Sequence, residues 1–344
     1  MKALIYNKNK IHLGERQMPE IKHPQDAIVK VTMSSICTSD LHIIKGFVPR
    51  ANEDIVLGHE FDGEVVKIGE GVKKLHAGDR VSANCETFCG ECYFCQRGFV
   101  NNCEKGGWEL GCRIDGCQAE YVRVPYADNG LYKLPESVSY KNALFVGDIL
   151  SSGYFGAEMC EIKAGDTIAV IGAGPVGLCA MMCAKFLGAG KIIAIDIDET
   201  RLNIAKDENL ADYIFNPNLT NVEAEVKLLT RNRGADGVIE CAGTSETFQL
   251  AWKIARPNAV VGVVAMYEEN QILPLPEMYG KNLTFKTGGV DANKCDKLIK
   301  LIEEKKIATD FLITHTFKLD EILEAYKLFE EKPAGCLKIA IIPD

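Results

Sequence analysis

The sequence has no block of basic residues, no long uninterrupted apolar run, no internal repeat and no low-complexity linker. Its net charge is −9, and with no basic stretch it is a poor candidate for binding nucleic acid or anionic membranes. The most apolar segment, residues 167–190, is broken by glycine and proline and contains Lys185, so it does not predict a transmembrane helix. Residues 1–20 lack the apolar core and cleavage site of a signal peptide, and we therefore expect a cytoplasmic protein.

A disulfide framework is not expected either, although the chain has 14 cysteines, because the cytoplasm keeps thiols reduced. What the sequence does have is an ordinary globular composition, with 47% hydrophobic and 25% charged residues. Its 344 residues are too many for one ordinary core and suggest about two domains.

Four cysteines share one short loop with the spacing C-x2-C-x2-C-x7-C: Cys89, Cys92, Cys95 and Cys103. Four thiolates complete the tetrahedral shell of a structural zinc ion. An iron–sulfur cluster would use the same ligands, but nothing else in the sequence indicates electron transfer, so we predict zinc. A closed shell leaves no position for a substrate, and the lobe of about residues 85–112 is predicted to be structural.

A dinucleotide-binding pattern follows in the second half of the chain. An apolar strand at 167–171 runs into the glycine-rich GAGPVG turn and then a helix, and a second strand at 191–195 ends at Asp196. The free N–H groups and the positive dipole end of that helix favour a pyrophosphate. The predicted contacts are Gly172, Gly174, Pro175, Val176 and Gly177. A βαβ turn without a ligand is the alternative.

Asp196 decides which dinucleotide the pattern favours. Its carboxylate can accept hydrogen bonds from both ribose hydroxyls, whereas a 2′-phosphate would meet like charge. We therefore predict NAD(H) in preference to NADP(H). Arg201 lies close by in sequence, is counted among the cofactor contacts, and weakens this preference.

The domain organisation is predicted from the change in pattern along the chain. Strands and helices alternate over residues 151–287 and predict a doubly wound parallel sheet of about six strands. Residues 1–150 have short strands punctuated by glycine and proline, which predicts a β-rich domain. Residues 288–344 hold two helices and a strand. The fold class is therefore α/β.

Three further residues lie in turn-like contexts far apart in sequence: Cys37, His59 and Asp148. A thiolate, a neutral imidazole and a carboxylate would leave a fourth position open, as a catalytic zinc site does. Spacing alone does not separate this interpretation from a structural histidine paired with an acid.

Several motifs together resemble the medium-chain, zinc-dependent alcohol dehydrogenase family over essentially the whole chain. Besides the four-cysteine loop and IGAGPVG, they are CTSDLH at 37–42, GHEFDGEV at 58–65, IDGCQAEYVRVP at 114–125 and GDILSSGYFGAE at 147–158. The resemblance implies a GroES-like catalytic domain and a Rossmann domain with the active site in the cleft between them. The catalytic domain would comprise 1–150 and 288–344, and the Rossmann domain 151–287.

The resemblance also implies two zinc ions per chain. Cys37, His59 and Asp148 would hold the catalytic ion, and Glu60 would join or leave it as substrate enters. Alcohol dehydrogenase is usually described with two cysteines and one histidine on this zinc. The present chain has Asp148 instead of the second cysteine, as the bacterial secondary-alcohol branch does.

Five more roles follow from the matched motifs. Ser39 would accept the alcohol proton and His42 would pass it to solvent, while Asp40 would orient a zinc ligand. Ser152 would lie against the nicotinamide and Lys338 near the phosphates of the cofactor.

The predicted function is hydride transfer between a secondary alcohol or ketone and NAD(H). A diol, polyol or hydroxysteroid dehydrogenase of the same family is the alternative. A non-enzymatic NAD- or zinc-binding sensor is a hypothesis of another class, and retention of Cys37, His59, Asp148 and Ser39 argues against it. Zinc-free quinone reductases lack both metal motifs. Family members are usually homotetramers or homodimers, and the strand at 282–286 is the expected sheet edge.

We predict that Asp196→Ala raises the KM for NAD at least about tenfold and changes the KM for NADP little, because only NAD would lose charge-assisted ribose hydrogen bonds. Steady-state kinetics with both cofactors measures this. An equal effect on both would show that Asp196 does not contact the ribose.

Overall fold

The computed structural model describes residues 1–343. The strands β1–β16 are Lys2–Asn7, Lys10–Glu15, Ala27–Ser35, Ile55–Val56, Phe61–Ile68, Arg80–Ala83, Tyr121–Val124, Leu131–Lys133, Thr167–Ile171, Lys191–Ile195, Tyr213–Phe215, Ala235–Glu240, Ala255–Val263, Thr284–Thr287, Ile313–Lys318 and Lys338–Ile342. The helices α1–α11 are Thr38–Ile44, Ala127–Gly130, Tyr140–Ala143, Ile149–Met159, Pro175–Phe186, Glu199–Asp207, Val222–Leu229, Ser245–Ile254, Leu275–Met278, Cys295–Glu303 and Ile322–Glu331. None of these helices is long and apolar enough to cross a bilayer.

The chain divides into two compact units. The first comprises Met1–Ser151 and the residues from Asp291 onward, and the second is Ser152–Val290. The first division falls inside α4. The sequence predicts domain boundaries between residues 150 and 151 and between 287 and 288. In the structure the boundaries lie between residues 151 and 152 and between 290 and 291.

The second unit contains a six-stranded parallel sheet in the order β11-β10-β9-β12-β13-β14. The central strand β9, with the sequence TIAVI, is buried along its whole length, as expected for a strand covered on both faces. Strand order reverses between β9 and β12, which is where ligands bind in doubly wound sheets. The predicted sheet of about six strands is confirmed.

Side chains fix where several helices of the second unit begin. The Asp198 carboxylate accepts from the backbone N–H groups of Thr200 and Arg201 at the start of α6. Asn221 caps α7 in the same way, and Thr244 caps α8. Such caps satisfy N–H groups that have no partner within the helix, so they define each helix start locally.

The first unit is built on a seven-stranded sheet in the order β15-β16-β3-β5-β6-β8, with β7 also paired to β3. Val29 of β3 lies opposite Val65 of β5 and Val122 of β7, and all three side chains are buried in one core cluster. A three-stranded sheet, β2-β1-β4, completes this β-rich unit. The C-terminal strand β16 pairs antiparallel with β3, so the end of the chain completes the sheet. The predicted GroES-like β-rich domain is confirmed.

The cysteine lobe has its own small core, in which Phe88 and Val100 pack with the four cysteines. An isolated antiparallel bridge between Thr87 and Gly107 closes the lobe. Each of these two residues donates its N–H to the other's carbonyl, at 2.9 and 2.7 Å.

Gly177 provides a test of the second unit's packing. A Cβ on Gly177 would lie 1.8 Å from the Gly172 carbonyl oxygen, so the glycine turn and α5 would have to separate. We expect Gly177→Ala to lower the Tm by at least about 3 °C. In the same unit, a Cβ on Gly288 would meet its nearest atom at 3.5 Å, an ordinary contact. Thermal unfolding should leave Gly288→Ala unchanged, and equal Tm values for both variants would contradict this packing.

Candidate functional site

The four cysteines of the lobe converge on one point. Their sulfur atoms all lie within 4.8 Å of one another. Cys92 Sγ is 3.4 Å from Cys95 Sγ, which is 4.0 Å from Cys89 Sγ. Tetrahedral zinc with Zn–S bonds of about 2.3 Å needs sulfurs roughly 3.8 Å apart, so these residues fit a zinc ion.

Backbone amides support the thiolate form that zinc requires. The N–H groups of Cys89 and Lys105 donate to Cys103 Sγ at 3.3 and 3.4 Å. Hydrogen bonds from the backbone at Cys95 and Glu104 lower the pKa of Cys92 to about 6. The lobe therefore offers a thiolate at neutral pH and donors that stabilise the others around a cation.

Cys37, His59 and Asp148 form a second group whose ligand atoms lie within 4.8 Å of one another. Cys37 is the N-cap residue just before α1, His59 lies two residues before β5, and Asp148 immediately precedes α4. Asp148 Oδ2 is 3.1 Å from His59 Nε2 and 3.8 Å from Cys37 Sγ. Three donors of three chemical types at this spacing fit three corners of a zinc tetrahedron, with the fourth open.

Asp40 positions two of these three ligands. It is fully buried on α1, and its Oδ2 accepts the Cys37 N–H at 2.9 Å. Its Oδ1 faces His59 Nδ1 at 3.4 Å. With Nδ1 directed at a carboxylate, His59 presents Nε2 to Asp148 and Ser39, which is the orientation a metal ligand needs.

The charges of His59 and Asp148 reinforce one another. Burial disfavours the charged imidazole, but Asp148 and Asp40 outweigh that effect and hold the pKa of His59 well above its usual value. Burial would likewise raise the pKa of Asp148, but the hydrogen bond from His59 lowers it instead. A metal ion that binds Cys37, His59 and Asp148 therefore has to displace the imidazole proton of His59, because only the neutral imidazole is a metal ligand.

Glu60, predicted to join and leave the zinc, is turned toward an ion pair. Its Oε2 accepts from Ser35 Oγ and from the ammonium of Lys338. Its Oε1 is buried and has no hydrogen-bond partner within residues 1–343. Burial raises the pKa of Glu60 to about 7 despite the charge of Lys338.

Lys338 has a location that its predicted role did not anticipate. It is 2% exposed on β16, and its ammonium also donates to the Ile36 carbonyl at 2.9 Å. The charges of Cys37 and Glu60 overcome burial and raise its pKa. Its contacts are with Glu60 and the chain leading into Cys37, and a contact with cofactor phosphates stays a prediction.

Ser39 and His42 lie one helical turn apart on α1, so they share a face of it. Ser39 Oγ is 3.1 Å from His59 Nε2, the ring nitrogen that His59 would offer to a metal. His42 is half-buried with its ring 6.1 Å from that of Phe47.

Sequence reasoning missed the support beneath Asp40. Gln118 Nε2 donates to Asp40 Oδ2 at 3.2 Å and to the Ser35 carbonyl at 3.3 Å. Tyr326 of α11 donates its hydroxyl to Gln118 Oε1 at 2.8 Å. Gln118 lies inside the recognised IDGCQAEYVRVP motif, but nothing in that segment indicates that its side chain reaches Asp40.

The glycine turn of the second unit has the geometry of a phosphate-binding loop. Gly172 follows β9 with a φ of 95°, and α5 begins after Gly174 with Pro175 in its first turn. Val176 lies in the same first turn, and the close approach of Gly177 to Gly172 compacts the loop. The amide end of α5 is thereby available to an anion.

Asp196 and Arg201 both lie near this loop. Asp196 ends β10, and its carboxylate accepts from the N–H groups of Ala173 at 2.6 Å and Asp198 at 2.8 Å. Arg201 Nη1 lies 3.8 Å from the position of a Cβ on Gly174. Ser152 is buried in α4, and its contact with nicotinamide stays a prediction.

Comparison with known proteins identifies the family of the chain. The alcohol dehydrogenase GroES-like domain matches residues 23–136, and the zinc-binding dehydrogenase domain matches residues 175–304. An alcohol dehydrogenase of Cupriavidus necator is 36% identical, with 100% of this chain and 99% of that protein covered. The NADP-dependent isopropanol dehydrogenase of Thermoanaerobacter brockii is 33% identical, covering 93% of each.

A solved structure gives the same result. Zinc dependent alcohol dehydrogenase 2 from Streptococcus pneumonia superposes with a TM-score of 0.94 at 38% identity, covering 100% of this chain and 99% of that one. The chain belongs to the medium-chain, zinc-dependent alcohol dehydrogenase family, as its motifs predicted.

The ligand assignment predicts a selective loss of metal. Asp148→Asn removes one charged ligand and should release one of two zinc ions, while the cysteine lobe keeps the other. Elemental analysis per folded chain measures this, with Cys92→Ser as the complementary variant that should lose the lobe's ion. Unchanged zinc content and turnover in Asp148→Asn would refute the assignment.

Proposed function

We propose that this protein is a dehydrogenase with two zinc ions per chain that transfers a hydride between a secondary alcohol or ketone and NAD(H). The observation that carries the proposal is the convergence of Cys37, His59 and Asp148, with Ser39 Oγ 3.1 Å from His59 Nε2. This arrangement combines an open metal site with a hydroxyl that can take part in proton transfer.

A zinc ion held by Cys37, His59 and Asp148 would supply Lewis acidity that polarises the oxygen of an alcohol or ketone. The zinc ion and its three ligands would have no net charge, because one thiolate and one carboxylate balance the two positive charges of zinc and a neutral His59 adds none. A nicotinamide dinucleotide on the glycine turn would accept the hydride.

The chain's own residues would carry the proton. Ser39 accepts the hydroxyl proton of the alcohol and gives up its own hydroxyl proton toward His42, which passes a proton to solvent, as the C–H bond gives up its hydride. Both side chains lie on the same face of α1. Asp40 holds the helix start and the imidazole fixed, so that Ser39 keeps its place beside His59.

The substrate class is supported by the relatives. One relative is named an isopropanol dehydrogenase, which oxidises a secondary alcohol, and it aligns over 93% of this chain. Asp148 also matches the pattern of the secondary-alcohol branch. A diol, polyol or hydroxysteroid substrate is the alternative within the same chemistry.

The preference for NAD(H) rests on Asp196. Its carboxylate ends β10 beside the glycine turn, where a 2′-phosphate would meet negative charge. The Thermoanaerobacter brockii relative is named NADP-dependent, and Arg201 near Gly174 offers positive charge on the same side. The choice between NAD(H) and NADP(H) therefore depends on the balance between the negative charge of Asp196 and the positive charge of Arg201 near the ribose.

A homotetramer or homodimer is part of the proposal. Strand β14 pairs only with β13 among the described strands, so its other edge has backbone groups available for pairing. Exposed apolar side chains lie in the segment just before it, at Ile272, Leu275 and Tyr279. A second copy would bury both features.

The proposal predicts that the purified protein contains two zinc ions per chain and oxidises small secondary alcohols with NAD. Ser39→Ala should keep both zinc ions but lower kcat/KM at least about 100-fold, the range expected for a proton-transfer group. Ser137→Ala is the control, because that hydroxyl contacts only exposed Glu303 among the described residues.

Zinc analysis and initial rates on a panel of secondary alcohols, with NAD and then NADP, measure these outcomes. One zinc ion per chain and no turnover would instead favour the binding-protein hypothesis.

A further inference from the structure

Residues 291–293, where the chain re-enters the first unit, are fastened to the cysteine lobe. Asp291 Oδ1 accepts the backbone N–H of Asn101 at 3.1 Å, and Asn293 Nδ2 donates to the Gly98 carbonyl at 2.6 Å. The two ends of this short segment therefore hold two separate turns of the lobe. Neither contact takes part in the chemistry described above.

Both turns carry ligands of the lobe's metal. Gly98 directly follows the short 3₁₀ helix that contains Cys95, and Asn101 belongs to the 3₁₀ helix that directly precedes Cys103. A zinc ion bound by the four cysteines would fix these turns, because metal binding and local folding are one process in such a lobe. The hold on residues 291–293 therefore depends on the metal of the lobe.

The carbonyl group of Ala292 is the junction between this segment and the rest of the first unit. Its oxygen accepts a hydrogen bond from Asn84 Nδ2 at 2.9 Å and lies 3.1 Å from Cys295 Sγ, and all three residues are buried. Ala292 has a φ of 45°, in the left-handed region that residues other than glycine rarely adopt. Such a conformation persists only where neighbouring contacts impose it, so the carbonyl is held in a defined direction.

Asn84 connects the Ala292 carbonyl to the segment that leads into the lobe, directly after β6. The next residue, Cys85, donates its N–H to the Gly147 carbonyl at 3.1 Å. A Cβ on Gly147 would lie 1.7 Å from a carbonyl oxygen of β6, so no space separates the two segments. Because Gly147 immediately precedes Asp148, a shift of Asn84 would displace the turn that presents this carboxylate.

A second route reaches the same turn through Cys295, the first residue of α10. Its Sγ lies 3.7 Å from the carbonyl oxygen of Val146. That oxygen also accepts a hydrogen bond at 2.6 Å from the hydroxyl of Ser151, which lies 3.8 Å from the same sulfur. Val146 and Ser151 flank Asp148 in sequence. Two sets of contacts therefore link the Ala292 carbonyl to the turn around Asp148.

The amide of Asn84 suits a linking role because it is both donor and acceptor. Its Nδ2 binds the Ala292 carbonyl, while its Oδ1 accepts the N–H of Glu86 at 2.8 Å. One planar group thus ties the entry of the lobe to the segment that the lobe holds. An apolar residue in its place would remove one hydrogen bond from each of these two backbone groups.

We propose that zinc binding in the cysteine lobe strengthens zinc binding at the site of Asp148, and that Asn84 is the positioning residue that couples the two. This inference rests on the two zinc sites of the proposed function, but not on its hydride transfer. The lobe, whose closed shell does no chemistry, thereby acquires a defined effect on the site that does.

The test measures metal affinity at the site of Asp148 by titration against a chelator. Cobalt(II) replaces zinc, because its visible absorption distinguishes a four-thiolate site from a site with one thiolate. Cys92→Ser, which empties the lobe, should weaken this affinity at least about fivefold, the lower end of the usual range for coupled sites. Asn293→Ala should weaken it to a similar degree while the lobe keeps its ion, and Asn84→Ala at least as much.

Asn129 provides a matched control. It is half-buried like Asn293, and its amide likewise donates to a carbonyl of the lobe, that of Phe88, at 3.1 Å. It lies on α2, however, and not in the segment 291–293. Asn129→Ala should therefore leave the affinity at the site of Asp148 unchanged. Asn293→Gln retains an amide donor and should retain most of the wild-type affinity.

A double variant distinguishes coupling from general damage. Once Cys92→Ser has emptied the lobe, Asn293 has nothing further to transmit, so adding Asn293→Ala should cause little additional loss of affinity. Losses that add in full overturn the inference. Equal affinities in all variants, or an Asn129→Ala variant as weak as Asn293→Ala, overturn it as well. Should Asn84→Ala fail to fold, the comparison of Asn293 with Asn129 still decides.

The same titration separates this inference from the proposed function. Coupled metal binding in a protein that turns over no alcohol would support the coupling and contradict the dehydrogenase. Alcohol turnover with an affinity at the site of Asp148 that is independent of the lobe would uphold the dehydrogenase and overturn the coupling.

Discussion

The contact between the Asp40 carboxylate and its neighbours is the constraint on which the open site depends. Asp40 is fully buried and meets the Cys37 amide at 2.9 Å, the Gln118 amide at 3.2 Å and His59 Nδ1 at 3.4 Å. A buried carboxylate is tolerated only where such groups surround it. It therefore ties the start of α1 to the turn before β5, and Ser39 and the ligands acquire one common orientation.

The sheet of the first unit connects that site to the end of the chain. Strand β16 pairs with β3 and carries Lys338, whose ammonium meets Glu60 and the Ile36 carbonyl. Helix α11 supplies Tyr326, which holds Gln118 beneath Asp40. The C-terminal residues thus act on the ligand group through positioning contacts, although Lys338 is 302 residues from Ile36 and Tyr326 is 208 residues from Gln118 in sequence.

Much of this was predictable because it follows from local patterns. The β9 and β10 boundaries follow from their apolar runs and the glycine turn between them, and both agree with the structure. The cysteine cluster follows from ligand spacing. Contacts made only by folding were not predictable: the pairing of Glu60 with Lys338 and the support from Tyr326. Each joins distant segments, and no periodicity or spacing signals such a contact.

The most direct test of two distinct metal sites is zinc X-ray absorption spectroscopy on the fully loaded protein. The structure offers four thiolates at one site, and a thiolate, an imidazole and a carboxylate at the other. Five sulfur ligands shared by two ions should give an average of about 2.5 sulfurs per zinc, with a clear nitrogen or oxygen shell. A sulfur-only spectrum near four per zinc would mean that Cys37, His59 and Asp148 hold no metal, and would contradict the account.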